Sequence, residues 1–149
     1  MFYKVQPLTL GNFGKRTLYG GELSERPPKI FRLHVEFDKW PEDIFFECSC
    51  TYVGTLEVTK KLQARVPRIT GVSYEEMTVS VGRDFPADKK EEDLPEYRWY
   101  KIIGKPGIDD FGMLGDVLVI SDEAMTIMRS GMPNCTTSIF IRDEAEATS

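Results

Sequence analysis

Asp116-Val117-Leu118-Val119-Ile120-Ser121-Asp122-Glu123-Ala124 changes character at Ser121. The apolar residues before it form a buried-type strand. Ser121 is a good N-cap, because its hydroxyl can accept a hydrogen bond from an N–H of the first helical turn, and Asp122 and Glu123 favour the positive end of a helix. Ala124, Ile127 and Met128 then supply an apolar stripe. Gly131 suits a left-handed C-cap, Pro133 prevents continuation, and Cys135 to Ile141 alternates toward another strand. The same order occurs earlier. Thr55 caps a helix predicted from Leu56 to about Arg65, in which Val58 and Leu62 stack at i,i+4 and Glu57 lies four residues before Lys61. Pro67 ends it. After Ile69-Thr70-Gly71 the segment Tyr74 to Val81 turns to strand, with Met77, Val79 and Val81 on one face. These two units predict an α+β fold, a mostly antiparallel sheet with two short capped helices and a duplicated strand-helix-strand unit.

Outward from these units, Lys29 to Asp38 alternates with period two. Phe31, Leu33, Val35 and Phe37 fall on one face and Ile30, Arg32, His34, Glu36 and Asp38 on the other, which predicts one half-buried strand. Phe2 to Val5, Thr17 to Tyr19 and Tyr97 to Ile103 are further strand segments, with Gly20-Gly21 and Pro27-Pro28 as turns. Asp84 to Pro95 is a proline-bounded charged loop. At 149 residues the chain has the length of a single domain. Residues 1–39 supply N-terminal strands and loops, 40–142 the main core, and 143–149 a polar tail expected to fray.

The composition, 41% hydrophobic and 29% charged, is that of a folded globular protein. A net charge of −5 argues against a nucleic-acid partner, since phosphate binding needs a basic face. The N-terminus lacks the apolar core of a secretory signal, and no apolar run reaches the roughly 20 residues of a membrane span. A cytoplasmic location is therefore expected. Cys48, Cys50 and Cys135 are odd in number and contain no C-x-x-C pair, which fits reduced thiols in the core.

Catalytic chemistry has few entry points. His34 is the single histidine and is expected on the polar face of its strand, and Ser24, Ser49 and Ser121 lack a nucleophile-elbow context. Cys48 and Cys50 are expected on one side of a strand, with Cys135 far along the chain, so core packing outweighs zinc binding. Gly11-Asn12-Phe13-Gly14-Lys15 lacks phosphate-loop spacing and reads as a turn, and no Rossmann fingerprint is present. Asp109, Asp110 and Asp116 cluster beside glycines and could hold a hard cation, without the twelve-residue calcium pattern. The chain is accordingly read as a binding protein and not an enzyme, with no cofactor. From Glu75 to Glu96, eight acidic residues stand against Arg83, Lys89 and Lys90, an excess suited to steering a basic protein partner.

Three stretches carry a family resemblance: Trp40-Pro41-Glu42-Asp43-Ile44, the capped helix leading to Ile69-Thr70-Gly71-Val72, and Ile108-Asp109-Asp110-Phe111-Gly112 continuing through Val117 to Ala124. In order and spacing they resemble a bacterial family of immunity proteins for polymorphic toxins. That family's pattern runs from an early "P-x-D" through a serine-capped helix and a tyrosine-rich strand to "DD-F-G" and "L-V-V-S". Thr55 replaces the first serine and Ile120 fills the last apolar position of the second strand. The resemblance spans about Trp40 to Cys135. It implies a protein that binds a cognate, basic toxin domain and occludes its active site without a cofactor. Under that implication Asp88, Glu91, Glu92 and Asp93 steer the encounter, with Phe85 and Leu94 as anchors beside them. An adaptor or chaperone-like protein is the alternative, followed by a small metal-dependent enzyme using Asp109, Asp110 and Asp116.

Overall fold

Thr55 and Ser121 both leave a strand in extended conformation and accept the N–H three residues ahead, Val58 N at 3.3 Å and Ala124 N at 3.2 Å. They start α1 (Leu56–Gln63) and α2 (Asp122–Met128) of the computed structural model, which describes residues 1–21 and 29–141. The Pro27-Pro28 turn and the tail from Arg142 lie outside the described residues. The α1 helix ends before Arg65 because the Arg65 N–H bonds the Leu62 carbonyl at 3.3 Å, an i−3 closure that tightens the last turn.

The strands are β1 (Phe2–Gln6), β2 (Asn12–Phe13), β3 (Leu18–Tyr19), β4 (Ile30–Arg32), β5 (His34–Phe37), β6 (Phe45–Cys48), β7 (Thr51–Thr55), β8 (Val72–Glu75), β9 (Thr78–Val81), β10 (Tyr97–Ile102), β11 (Phe111–Leu114), β12 (Val117–Ser121) and β13 (Thr136–Ile139). Two four-stranded antiparallel sheets have the orders β6-β7-β10-β8 and β11-β12-β1-β13. A third sheet, β2-β5-β9, contains the parallel pair β5 and β9, and β3 pairs with β4. No helix among the described residues is long and apolar enough to cross a membrane.

The two four-stranded sheets repeat one plan. A hairpin (β6-β7 or β11-β12) leads through the cap into a helix, and the next strand (β8 or β13) forms the far edge. The place between is taken by β10 in one sheet and by β1, from the start of the chain, in the other. The correspondence is residue by residue. Phe45 pairs with Gly54 as Phe111 pairs with Ile120, an offset of 66 positions that holds without a gap from Phe45/Phe111 to Leu62/Met128. Thr55 N bonds Ile44 O at 2.9 Å and Ser121 N bonds Asp110 O at 2.8 Å; Leu56 N bonds Glu96 O at 2.8 Å and Asp122 N bonds Met1 O at 2.9 Å. The repeated unit expected from the two caps is thus present as topology and register, with its last strand provided by Phe2–Gln6.

The β6-β7-β10-β8 sheet is buried on both faces. Phe45, Tyr52 and Tyr100 face a first core shared with α1, α2, Phe111, Leu118 and Ile120. Phe46, Val53, Tyr97 and Trp99 face a second core completed by Leu33, Val35 and Phe37. Tyr100 packs edge-on to Phe45, Tyr74 and Phe111, and its buried hydroxyl lies 2.6 Å from Thr59 Oγ1. Gly54 makes room for that ring, since a Cβ there would sit 2.9 Å from it.

Several expectations are corrected. Lys29 to Asp38 is not one alternating strand. It breaks at Leu33, which shifts the phase so that Ile30 and His34 are buried while Phe31 is 74% exposed. Tyr74 to Val81 is split at Glu76-Met77, β8 and β9 going to different sheets. Cys48 and Cys50 do not share a strand: Ser49 and Cys50, both at positive φ, form the two-residue hairpin turn between β6 and β7. Gly131 is not a left-handed cap. It lies in a 3-10 turn, Arg129–Gly131, and is needed there because a Cβ would collide with the Ile44 side chain.

The two caps differ in one respect. Ser121 Oγ also donates to Asp110 Oδ1 at 2.6 Å, whereas Thr55 has no carboxylate partner among the described residues. Thr55→Ala should lower unfolding free energy in urea by about 1 kcal/mol, and Ser121→Ala by about 2–3 kcal/mol, because it removes a cap and a charged-acceptor hydrogen bond together. Equal losses would show that the Asp110 contact contributes nothing.

Candidate functional site

His34, Cys48, Asp109 and Asp110 are engaged in holding the fold. His34, expected on a solvent face, is 4% exposed. Its Nδ1 accepts the Arg16 N–H at 3.1 Å, so the ring proton resides on Nε2, which lies 2.7 Å from Ser80 Oγ. In that tautomer the imidazole donates to the serine and cannot take its proton. Burial, with help from Arg16 and Lys15, lowers the His34 pKa, against an opposing pull from Glu36 and Glu91. The Cys48 thiol is buried and its pKa is pushed up to about 12, which makes it a packing group and not a nucleophile.

The three late aspartates do not converge. Asp109 Oδ2 accepts the Lys105 N–H at 2.7 Å. Asp110 Oδ2 accepts the Thr70 N–H at 2.8 Å, while its Oδ1 takes the Ser121 hydroxyl. Asp116 occupies the exposed turn at the opposite end of β11, four strand residues or about 13 Å away. Among the described residues no group of three or more histidine, cysteine or acidic side chains is placed to hold a metal ion.

The charged segment Asp84 to Glu96 is built as a ridge. Phe85 and Leu94 are half-buried and pack against the second core, so they fasten the segment at both ends. Between them a 3-10 turn, Glu91–Asp93, is closed by the Lys90 N–H on Asp93 Oδ2 at 3.2 Å. Glu91 Oε1 accepts the Val81 N–H at 3.2 Å, which ties the ridge to β9. Asp88 and Glu92 are exposed and make no hydrogen bond among the described residues. Of the predicted partner-binding residues the structure therefore brings Asp88, Glu91, Glu92 and Asp93 together at the surface, and commits Phe85 and Leu94 largely to the core.

Three members of this surface were not predicted. Trp40 packs against Phe85 with ring centroids 6.2 Å apart and carries the Lys89 ammonium 5.3 Å from its centroid. Glu36 and Asp38 crowd Gly82, where any side chain would collide with their carboxylates. The parallel pairing of Glu36 with Ser80 and Phe37 with Val81 places these acids beside the strand that Glu91 grips. Nothing local in the sequence links Trp40 or Glu36 to residues 80–94. Their position on the alternating strand and in the early tryptophan-proline motif was the available signal.

A scan against protein-family models, a search of curated proteins and a search of solved structures found no match to this chain.

The buried neutral His34 has a stability consequence. Above its unfolded pKa, near 6.5, neither state binds the proton; below it the unfolded chain protonates first, because the folded pKa is lower. Stability should therefore fall as pH drops below about 6.5 and level off below the folded pKa. Denaturant titrations between pH 7.5 and 5.5 should show this component in the native chain and lose it in His34→Gln. Parallel pH profiles for the two proteins would refute it.

Proposed function

We propose that this protein is an immunity-type binder that neutralises a basic toxin domain by covering its active site. The observation that carries this reading is the fixed acidic ridge, six carboxylates against two lysines from Asp84 to Glu96, anchored on the second core by Phe85 and Leu94. Exposed charges in a held arrangement raise the encounter rate with a partner of opposite sign, and a rigid segment loses little further entropy on binding. The engagement of His34, Asp110 and Cys48 in structural contacts supports binding over catalysis, as does the resemblance of the stretches from Trp40 to Cys135. The proposed action is occlusion: the ridge steers, a desolvated centre excludes water, and no cofactor takes part.

The first test is co-expression with the product of the adjacent upstream gene, scored by survival and by co-purification. Rescue with a stable complex supports the reading; an upstream product that is harmless alone and never co-purifies sinks it. With a partner in hand, Asp88→Lys combined with Glu92→Lys should slow association about 10- to 100-fold at low salt, with the deficit shrinking as salt rises. These two residues are chosen because neither supports the ridge, so the variant should melt as the native protein does. An unchanged association rate would remove the ridge from the interface.

A further inference from the structure

Among the described residues, the far strand of the β11-β12-β1-β13 sheet has an unpaired, uncharged edge. Phe140 N donates to Phe2 O at 2.9 Å, and β13 pairs with β1 through Tyr3↔Ile139, Lys4↔Ser138, Val5↔Thr137 and Gln6↔Thr136. In an antiparallel ladder the hydrogen-bonding side alternates, so Thr136, Ser138 and Phe140 turn their backbone groups toward β1. Thr137 and Ile139 turn theirs outward, and neither meets a partner among the described residues. All four residues of β13 are exposed, Ile139 by 59%.

Two other sheet edges are treated differently. The outer edge of β6 is covered by Leu8 to Leu10, with Leu10 N on Glu47 O and Glu47 N on Leu8 O, both at 2.9 Å. The edge strand β8 carries Glu75, paired with Lys101 at 3.1 Å. Edge strands are normally blunted by such cover or charge, because unpaired N–H and C=O groups recruit another strand. From Asn134 to Ile141 the chain has neither a charge nor a proline.

We infer that β13 is a self-association edge, pairing antiparallel with β13 of a second copy of this chain about Ser138. Pairing across a two-fold axis sets residues against their own copies, so a charge near the axis meets a like charge. A neutral strand avoids that repulsion. The register follows from the outward groups. Thr137 and Ile139 of one copy form hydrogen-bonded pairs with Ile139 and Thr137 of the other, and the two Ser138 residues form the close, non-hydrogen-bonded pair at the centre. The two four-stranded sheets join into one of eight strands. Met1 and Ile141, both exposed, lie on the same face as Ile139 and extend the apolar contact beside the axis. The net charge of −5 on each copy opposes the contact at long range, so salt should strengthen the pair.

Sedimentation equilibrium of the full chain, with a reducing agent, is the test. A reversible dimer that tightens as salt is raised is expected. Ile139→Lys, at an exposed position, and Thr137→Pro, which removes an outward N–H, should each weaken it about tenfold or more with an unchanged circular dichroism spectrum. Ser138→Cys should cross-link across the axis under mild oxidation, since the close pair has the Cα separation a disulfide accepts, while the native chain should not. A monomer at every concentration, or a dimer indifferent to both Ile139→Lys and Ser138→Cys oxidation, would overturn the inference.

Discussion

The carboxylate of Asp110 is the tie on which the arrangement of the two repeated units depends. One oxygen takes the Thr70 N–H, from the segment that follows α1, and the other takes the hydroxyl of Ser121, which caps α2. The Asp110 N–H returns a bond to Thr70 Oγ1 at 3.1 Å, and Phe111 N bonds Thr70 O at 3.1 Å. Each unit's approach to its hairpin is thus fixed to the other unit's exit from its helix. The reverse tie exists as well: Ile44 N bonds Gly131 O at 2.8 Å, and Asp43 accepts both the backbone and the side-chain N–H of Asn134. With these reciprocal clamps in place, α1 and α2 pack on one another and seal the first core between the sheets. Gly71 and Gly104 permit the crossing at the Asp110 end, where a Cβ on either would strike the Phe111 carbonyl.

The β6-β7-β10-β8 sheet transmits this rigidity to the opposite side of the molecule. Its hairpin partner and its β10 neighbour leave every residue of β7 buried, so the sheet is a wall between two cores and not an exposed face. The second core rests on that wall through Phe46, Val53, Tyr97 and Trp99, and the acidic ridge rests on the second core through Phe85 and Leu94. A charged segment that would otherwise sample many conformations is held by apolar contacts at both ends and by the Val81–Glu91 and Lys90–Asp93 bonds between them.

Local signals in the sequence marked what local physics decides. The caps at Thr55 and Ser121 and the stripes of α1 and α2 follow from residue type and period, and the structure has them. What the sequence concealed was non-local. Leu33 looks like one more inward position of a single strand, yet the Thr17 hydroxyl bonds both the N–H and the C=O of His34 and ends the alternation there. Asp43 and Asp110 lie in loops where a carboxylate excites no particular suspicion, and their partners are 91 and 40 residues away. The repeated unit was only faint because three positions of eighteen, Phe45/Phe111, Val53/Val119 and Glu57/Glu123, are identical. Register and burial demand a class of residue at the other positions, not a particular one.

The commitment of Phe85 and Leu94 to the second core changes what the proposed interface can be. An anchor that contributes strongly to binding is a side chain that moves from water into a partner's pocket, and a half-buried ring already loses much of that gain. The ridge itself offers exposed carboxylates, whose desolvation must be repaid by well-placed cations. In the proposed complex, burial of apolar surface at the centre therefore has to come chiefly from the partner's side or from the remaining exposed faces of Trp40 and its neighbours. Lys89 lies over the Trp40 ring, and a partner arginine would compete for the same face, since a guanidinium stacks on an indole better than an ammonium and carries a fork that also reaches a carboxylate. The chemistry of the ridge thus favours arginine over lysine on the surface it would recognise.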